Sequence, residues 1–259
     1  ASSAGPDIRE MVLGSEGRMG IITEVVVRVT PVPQAEQFQV AFFPSWDAGL
    51  TAARELVQQR VALSMVRLSN PLETISLLHM GAGENTAGVA ALEASLAEQG
   101  IGSGKVMMTF AVTGSQKQCD FNSIAALDIC ANHGAVADQS GLGDNWSHGR
   151  FRAPYVRDPL GSAGYAVDTM ETAVDWSRVT ETMEKIEQAI RTGLEDEGEQ
   201  VHAYTHLSHV YGQGSSIYTT YVYRFGDSYE QALQRWHKLK AAGAQQIVAC
   251  GGTISHQHG

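Results

Sequence analysis

The chain of 259 residues carries eighteen basic and twenty-eight acidic side chains, a formal net charge of -10, with 43% apolar and 18% charged residues. This is globular composition, enough for one large core or two smaller ones. The acidic surface argues against nucleic acid and anionic lipid as partners, and no apolar run approaches the roughly 20 residues of a membrane span.

Taken in chain order, the first feature is a Gly-rich turn, Gly14-Ser15-Glu16-Gly17-Arg18-Met19-Gly20, followed by a β-branched run from Ile21 to Val29 that predicts a strand. Pro31 and Pro33 cannot donate to a ladder and mark a domain boundary. Gln37 to Phe43 predicts the next strand, and Ser45 caps a helix whose Trp46, Leu50, Ala53 and Val57 recur at helical spacing. Met65 to Leu68 predicts a short strand and Val106 to Thr113 a longer one. Phe121, Ile124, Ala125 and Ile129 mark a helix that ends near Gly134. Val179, Met183, Ile186, Ile190 and Leu194 form a stripe on a helix from about Arg178. Val201 to Tyr211 and Ser216 to Arg224 read as strands joined in a hairpin around Gly212-Gln213-Gly214. Tyr229, Leu233, Trp236 and Leu239 line a last helix, expected to stop at Gly243. Helices sharing one sheet with a hairpin predict an α+β domain rather than a doubly wound one.

Cys119 and Cys130 fall on one predicted helix, a rise of roughly 16 Å apart and too far for a bridge. With Cys250 they match no metal spacing, so reduced core thiols in a reducing, cytoplasmic compartment are expected, with no metal. No signal peptide is recognisable, and the chain enters strand-like sequence early without an initiating Met, which predicts a piece of a longer protein.

Several catalytic patterns fail. Gly104-Lys105 lacks the upstream glycine of a phosphate loop, with Gln99 in its place and Val106 following. Gly141-Leu142-Gly143 does not continue to a third glycine, and neither a nucleophile elbow nor a His-Glu-x-x-His helix occurs.

Four features carry chemistry. The Gly-rich turn lets backbone N–H groups approach a polar cofactor, although it serves equally as a structural turn. At the other end, Gly251-Gly252-Thr253-Ile254-Ser255-His256-Gln257-His258-Gly259 puts two histidines on one side of an extended segment. That pair suits a metal with a further ligand such as His206 or His209, a proton-transferring site, or a solvated tail. Arg157, in Pro154-Tyr155-Val156-Arg157-Asp158, offers a fork for phosphate or carboxylate, or pairs with an acid at the surface. Tyr218 is one of several tyrosines on or beside a strand, suited to the core or to moving a proton. His209 and Tyr211 precede it on the neighbouring strand.

These residues also carry a resemblance. Gly14 to Gly17 followed by Gly20-Ile21-Ile22-Thr23-Glu24 resembles the last flavin-contacting segment of the FAD-linked oxidases of the vanillyl-alcohol-oxidase superfamily. The chain's end is similar to the His-rich active-site motif of the alkylglycerone-phosphate-synthase branch, with Gln257 replacing the middle histidine. Gln keeps hydrogen bonding but takes no proton. Ser64-Met65-Val66-Arg67-Leu68, the Arg157-Asp158 pair, Glu171-Thr172 with Trp176, and Ser215-Ser216-Ile217-Tyr218 resemble further elements of that branch.

The resemblance implies an α+β cap, or substrate, domain with a mainly antiparallel sheet covered by helices, preceded by the last strand segment of the FAD-binding domain. Residues 1–33 would end the FAD-binding domain, 34–250 form the cap, and 251–259 begin the His-containing segment returning toward the flavin. FAD is implied for the complete protein, lined here by Glu16, Gly17, Arg18, Met19, Gly20, Ile21 and Ile22. This stretch alone is expected neither to bind FAD nor to act. Catalytic roles fall to Tyr218, His256 and His258, and substrate contacts to Arg157, Arg67 and His209. The implied activity is exchange of the acyl group of acyl-dihydroxyacetone phosphate for a fatty alcohol. Oxidation of a 2-hydroxy acid such as lactate or glycolate is the alternative. Either takes a small-molecule substrate, and a homodimer is compatible with both.

Overall fold

In the computed structural model, which describes residues 5–83 and 85–254, alternation along each strand separates two faces. Strand β1 (Ala35–Phe43) turns Ala41 and Phe43 one way and Val40 and Phe42 the other, and all four are buried. After the short α1 (Ile8–Val12), helix α2 (Trp46–Gln58) starts at the expected cap, where Ser45 Oγ accepts the Ala48 N–H. It buries Gly49, Ala52, Ala53 and Leu56. After β2 (Met65–Ser69) come α3 (Pro71–Ala82) and α4 (Thr86–Glu98), then β3 (Val106–Gly114) and α5 (Gln116–Asn132).

The short β4 (Val136–Ala137), α6 (Leu142–Gly149) and α7 (Arg157–Ser162) lead to β5 (Tyr165–Asp175). Helix α8 (Val179–Arg191), the hairpin β6 (His202–Leu207) and β7 (Gly214–Arg224), and α9 (Tyr229–Ala249) complete the order.

The strands form one seven-stranded sheet in the order β4-β1-β3-β2-β6-β7-β5. Every pairing among the described residues is antiparallel. Inside the sheet the β2–β6 ladder is short: Leu68↔Leu207 and Ser69↔His206 pair, as few as in the edge ladder β1–β4. One face carries the main core: Phe43, Leu68, Met108, Phe110, Leu207, Ile217 and Tyr221 meet α2, α5, α8 and α9. On the other face Val40, Phe42 and Met107 join Leu78 of α3 and Val89 and Leu96 of α4 in a smaller cluster. That apolar cluster takes no residue from β2, β6, β7 or β5. The α+β class, the antiparallel sheet and the hairpin agree with expectation.

Three details differ. Ile21 to Val29 takes no regular structure and joins no ladder among the described residues, and Ile21 and Val26 are more than nine-tenths exposed. β-branched residues favour the extended backbone, but a strand also needs a neighbour. On α5 the core face is Cys119, Ser123, Ala126, Ile129 and Cys130, while Phe121 and Ile124 point to solvent. Helix α9 passes through Gly243 to Ala249. A Cβ at Gly243 would overlap Met170 Sδ, so this glycine serves close helix–sheet approach, not a stop.

The three cysteines are free and buried, and burial pushes the Cys130 thiol up to about 12. Among the described residues no helix is long and apolar enough to cross a membrane.

Candidate active site

The strands that lack an apolar layer on the second face carry polar and aromatic side chains there. Alternation along β6 buries Ala203, Thr205 and Leu207 toward the helices and turns His202, Tyr204 and His206 the other way. Across the ladders, His206 stands opposite Ser69 of β2 and Tyr218 of β7, and Tyr218 stands opposite Glu171 of β5. Arg67 lies two residues before Ser69 on the same face. Four adjacent strands therefore bring Arg67, His206, Tyr218 and Glu171 together.

Helix α3 adds a buried carboxylate. Its start is set by Asn70, whose Oδ1 accepts the Glu73 N–H at 2.9 Å, and by Pro71 in the first turn. Glu73 thus occupies the third helical position, where a glutamate commonly bonds back to the cap's backbone N–H. Here the Asn70 N–H goes to Thr205 O instead, and Glu73 turns toward the sheet. Its Oε1 accepts from Arg67 Nη2 at 2.8 Å and from His206 Nδ1 at 2.9 Å.

Burial by itself would raise the fully buried Glu73 carboxyl. The Arg67 guanidinium, then the His206 imidazole, outweigh it and bring the pKa down to about 2. For His206 burial also dominates and depresses the pKa, Arg67 adds to this, and Glu73 opposes it. The arrangement is an ionised carboxylate paired with Arg67 and a neutral imidazole. That imidazole stacks on Tyr218, with ring centroids 4.6 Å apart and planes 20° apart.

A second imidazole–carboxylate contact lies on the other side of Tyr218. His209 Nδ1 is 3.3 Å from Glu171 Oε1, and the Glu171 side chain is buried while His209 is partly exposed. The segment after α9 reaches the same strand: Thr253 N donates to Ala173 O at 3.1 Å, and Thr253 Oγ1 accepts the Ala173 N–H at 3.0 Å. Thr172 Oγ1 donates to Thr253 O at 2.8 Å. Gly252 is required there, because a Cβ would overlap Thr172 Oγ1. Thr253 is therefore fixed two residues from Glu171 in register. The sequence-expected His256 and His258 lie outside the described residues.

Of the other expected residues, Arg67, His209 and Tyr218 fall into this cluster. Arg157 does not: it begins α7 with an exposed side chain, and no hydrogen bond or ion pair ties it to the cluster among the described residues. Glu16 to Ile22 form an exposed turn and an irregular segment that joins no ladder among the described residues. Gly14, Gly17 and Gly20 have φ of 77°, 76° and 148°, and nothing lies within 4 Å of where a Cβ would stand. Glu73 was missed from the sequence, because an Asn-Pro-x-Glu start reads as helix capping. Glu171 was noted only within the Glu-Thr element of the resemblance and His206 only as a possible metal ligand, so neither was placed beside Tyr218. No group of three or more metal-binding side chains occurs among the described residues.

The family described as FAD linked oxidases, C-terminal domain, matches residues 32–259. An alkyldihydroxyacetonephosphate synthase of Dictyostelium discoideum is 26% identical over 265 residues, covering 100% of this chain and 43% of that protein. A Caenorhabditis elegans protein of the same name is 26% identical, covering 99% of this chain and 44% of its own length. The chain thus spans less than half the length of these curated relatives. A solved structure titled alkyldihydroxyacetonephosphate synthase superposes with a TM-score of 0.80 at 25% identity, over 98% of this chain and 47% of that one. The antiparallel α+β sheet and the match over residues 32–259 converge: the chain belongs to the FAD-linked oxidases and carries their C-terminal domain.

Proposed function

We propose that these residues form the substrate half of an FAD-dependent enzyme that exchanges the acyl group of acyl-dihydroxyacetone phosphate for a fatty alcohol. The observation that carries the reading is the placement of Tyr218 on the polar face, among Arg67, His206, His209 and Glu171. The likeness to two alkyldihydroxyacetonephosphate synthases over the whole chain supports it. In this reaction the bond between C1 and the acyloxy oxygen breaks and the alcohol oxygen bonds to the same carbon. The alcohol proton leaves with the carboxylate, so there is no net redox change.

Membership of the family implies FAD in the complete protein. When bound, FAD would supply a reversible electron acceptor for the chemistry. In this reading Glu16 to Ile22 line it through backbone groups, and residues 1–33 belong with its domain. Tyr218 moves the substrate's proton, a task for which a phenol needs hydrogen-bond reach to the reacting carbon. His209, partly exposed and braced by Glu171, contacts the substrate from the next strand. Arg157 holds the phosphate and His256 and His258 steady the reacting end.

The test is incubation of the full-length protein with acyl-dihydroxyacetone phosphate and a long-chain alcohol. Ether product without lasting flavin bleaching is expected. Anaerobic bleaching by lactate or glycolate, with no ether product, would replace this reading by 2-hydroxy-acid oxidation.

A further inference from the structure

Glu73 lies outside every motif singled out in the sequence, yet it is the most deeply enclosed charge at the site. Its side chain is about 1% exposed, and one oxygen, Oε1, takes bonds from β2 and β6 at once. An ionised carboxylate only accepts, so the hydrogen shared with His206 must sit on Nδ1. The Nε2 atom of the neutral ring is then left as a lone pair. The ring so fixed is the one stacked on Tyr218. Arg67 is held by the same oxygen through Nη2, while its buried Nε has no hydrogen-bond partner among the described residues. Glu73 is thus the shared support of a cation on one strand and an aromatic platform on the next.

We propose that Glu73 is a positioning residue for Tyr218: by accepting from His206 Nδ1 and from Arg67 it locks the imidazole in one tautomer and flat against the phenol, fixing where the hydroxyl stands. The catalytic part of this inference rests on the function proposed above; the structural part does not. Neither Glu73 nor His206 needs to touch substrate. A histidine held by an outer carboxylate keeps its orientation and tautomer, as metal-bound and catalytic histidines do. Misplacing a reacting group by about 1 Å can cost up to about 100-fold in rate.

The experiment uses the full-length protein with selectively ¹⁵N-labelled histidine, the His206 signals being assigned by their loss in His206→Asn. Wild type is expected to show a protonated Nδ1 and an unprotonated Nε2. Glu73→Ala is expected to give a mixture of tautomers, whereas Glu73→Gln, whose amide oxygen still accepts, retains the Nδ1–H form. In turnover, Glu73→Ala is expected to lower kcat about 10- to 100-fold with KM changed less than about twofold, and Glu73→Gln to recover part of the loss.

An Nε2–H tautomer in wild type, or an unchanged tautomer in Glu73→Ala, overturns the inference. So does a raised KM at constant kcat, which would make Glu73 part of substrate binding. If Glu73→Ala does not fold, Glu73→Gln and the wild-type spectrum still decide the tautomer. A wild-type protein without activity on the acyl phosphate and alcohol would overturn the proposed function alone, since the spectrum is read without substrate.

Discussion

Asn70 joins two layers of the molecule: its Oδ1 accepts the Glu73 N–H at the start of α3, while its Nδ2 donates to Glu187 Oε1 of α8 at 2.7 Å. Asn70→Ala removes the cap, about 1 kcal/mol, and leaves the buried Glu187 short of a donor, about 1–3 kcal/mol more. A loss of about 2–4 kcal/mol in urea unfolding is expected. Asn70→Asp keeps the cap but sets a second carboxylate against Glu187, so it should not rescue. A change below about 0.5 kcal/mol, the scatter of ordinary surface substitutions, would refute the account.

Asn70 also illustrates how far the sequence could be read. β1, α2 and α8 were legible because Ser45 caps one helix and apolar spacing marks the others. α3 and α4 were not expected, since 81–88 is rich in Gly, Asn and Thr and both helices bury little. β5 escaped because Asp168, Thr169, Glu171 and Thr172 dilute its apolar alternation. Tyr218, Arg67 and His209 were legible through the resemblance. Glu73 and His206 were not, because their partnership is a long-range contact of a helix start with a strand, invisible to spacing.

Acid should destabilise the fold in two stages. His206 has a depressed pKa when folded, so the unfolded chain binds its proton first, and stability falls as pH drops through the ordinary histidine range. His202, also depressed by burial, acts in the same sense. Glu73 contributes stability that is present above about pH 4.5 and lost as pH falls toward its folded value of about 2. Its share is on the order of 3 kcal/mol at most. Urea midpoints between pH 7 and 3 should show Glu73→Gln flattening the lower stage and His206→Asn reducing the upper one. A lower stage as steep in Glu73→Gln as in wild type would contradict the assignment.

Tyr218→Phe removes one hydroxyl from the polar face and leaves the ring stack on His206. Turnover in the full-length protein is expected to fall about 10²- to 10⁴-fold, with unfolding free energy changed by about 1.5 kcal/mol or less. Full activity in this variant would remove the phenol from the mechanism.

Two neighbouring glycines should respond in opposite ways. A Cβ at Gly214 would overlap the Val174 carbonyl oxygen, whereas one at Gly212 would meet nothing within 4 Å. Gly214→Ala is expected to cost about 1–3 kcal/mol or more by prising β7 from β5, while Gly212→Ala should be close to neutral. Thermal unfolding of the two variants side by side checks this, and equal melting temperatures would contradict it.

The two-pair ladder between β2 and β6 gives the sheet the character of two leaves sharing a narrow binding. Arg67 belongs to one leaf and His206 and Tyr218 to the other, so the spine of the book runs through the site. Few backbone bonds hold that spine; Asn70 and Glu73 stitch it from the side. Amide exchange should accordingly begin at Ser69 and Asn70 sooner than along β5 and β7, whose ladder runs eleven residues on each strand. A change far out on either leaf would then reach the chemistry as a tilt between the Arg67 cation and the Tyr218 phenol, with every local bond still intact.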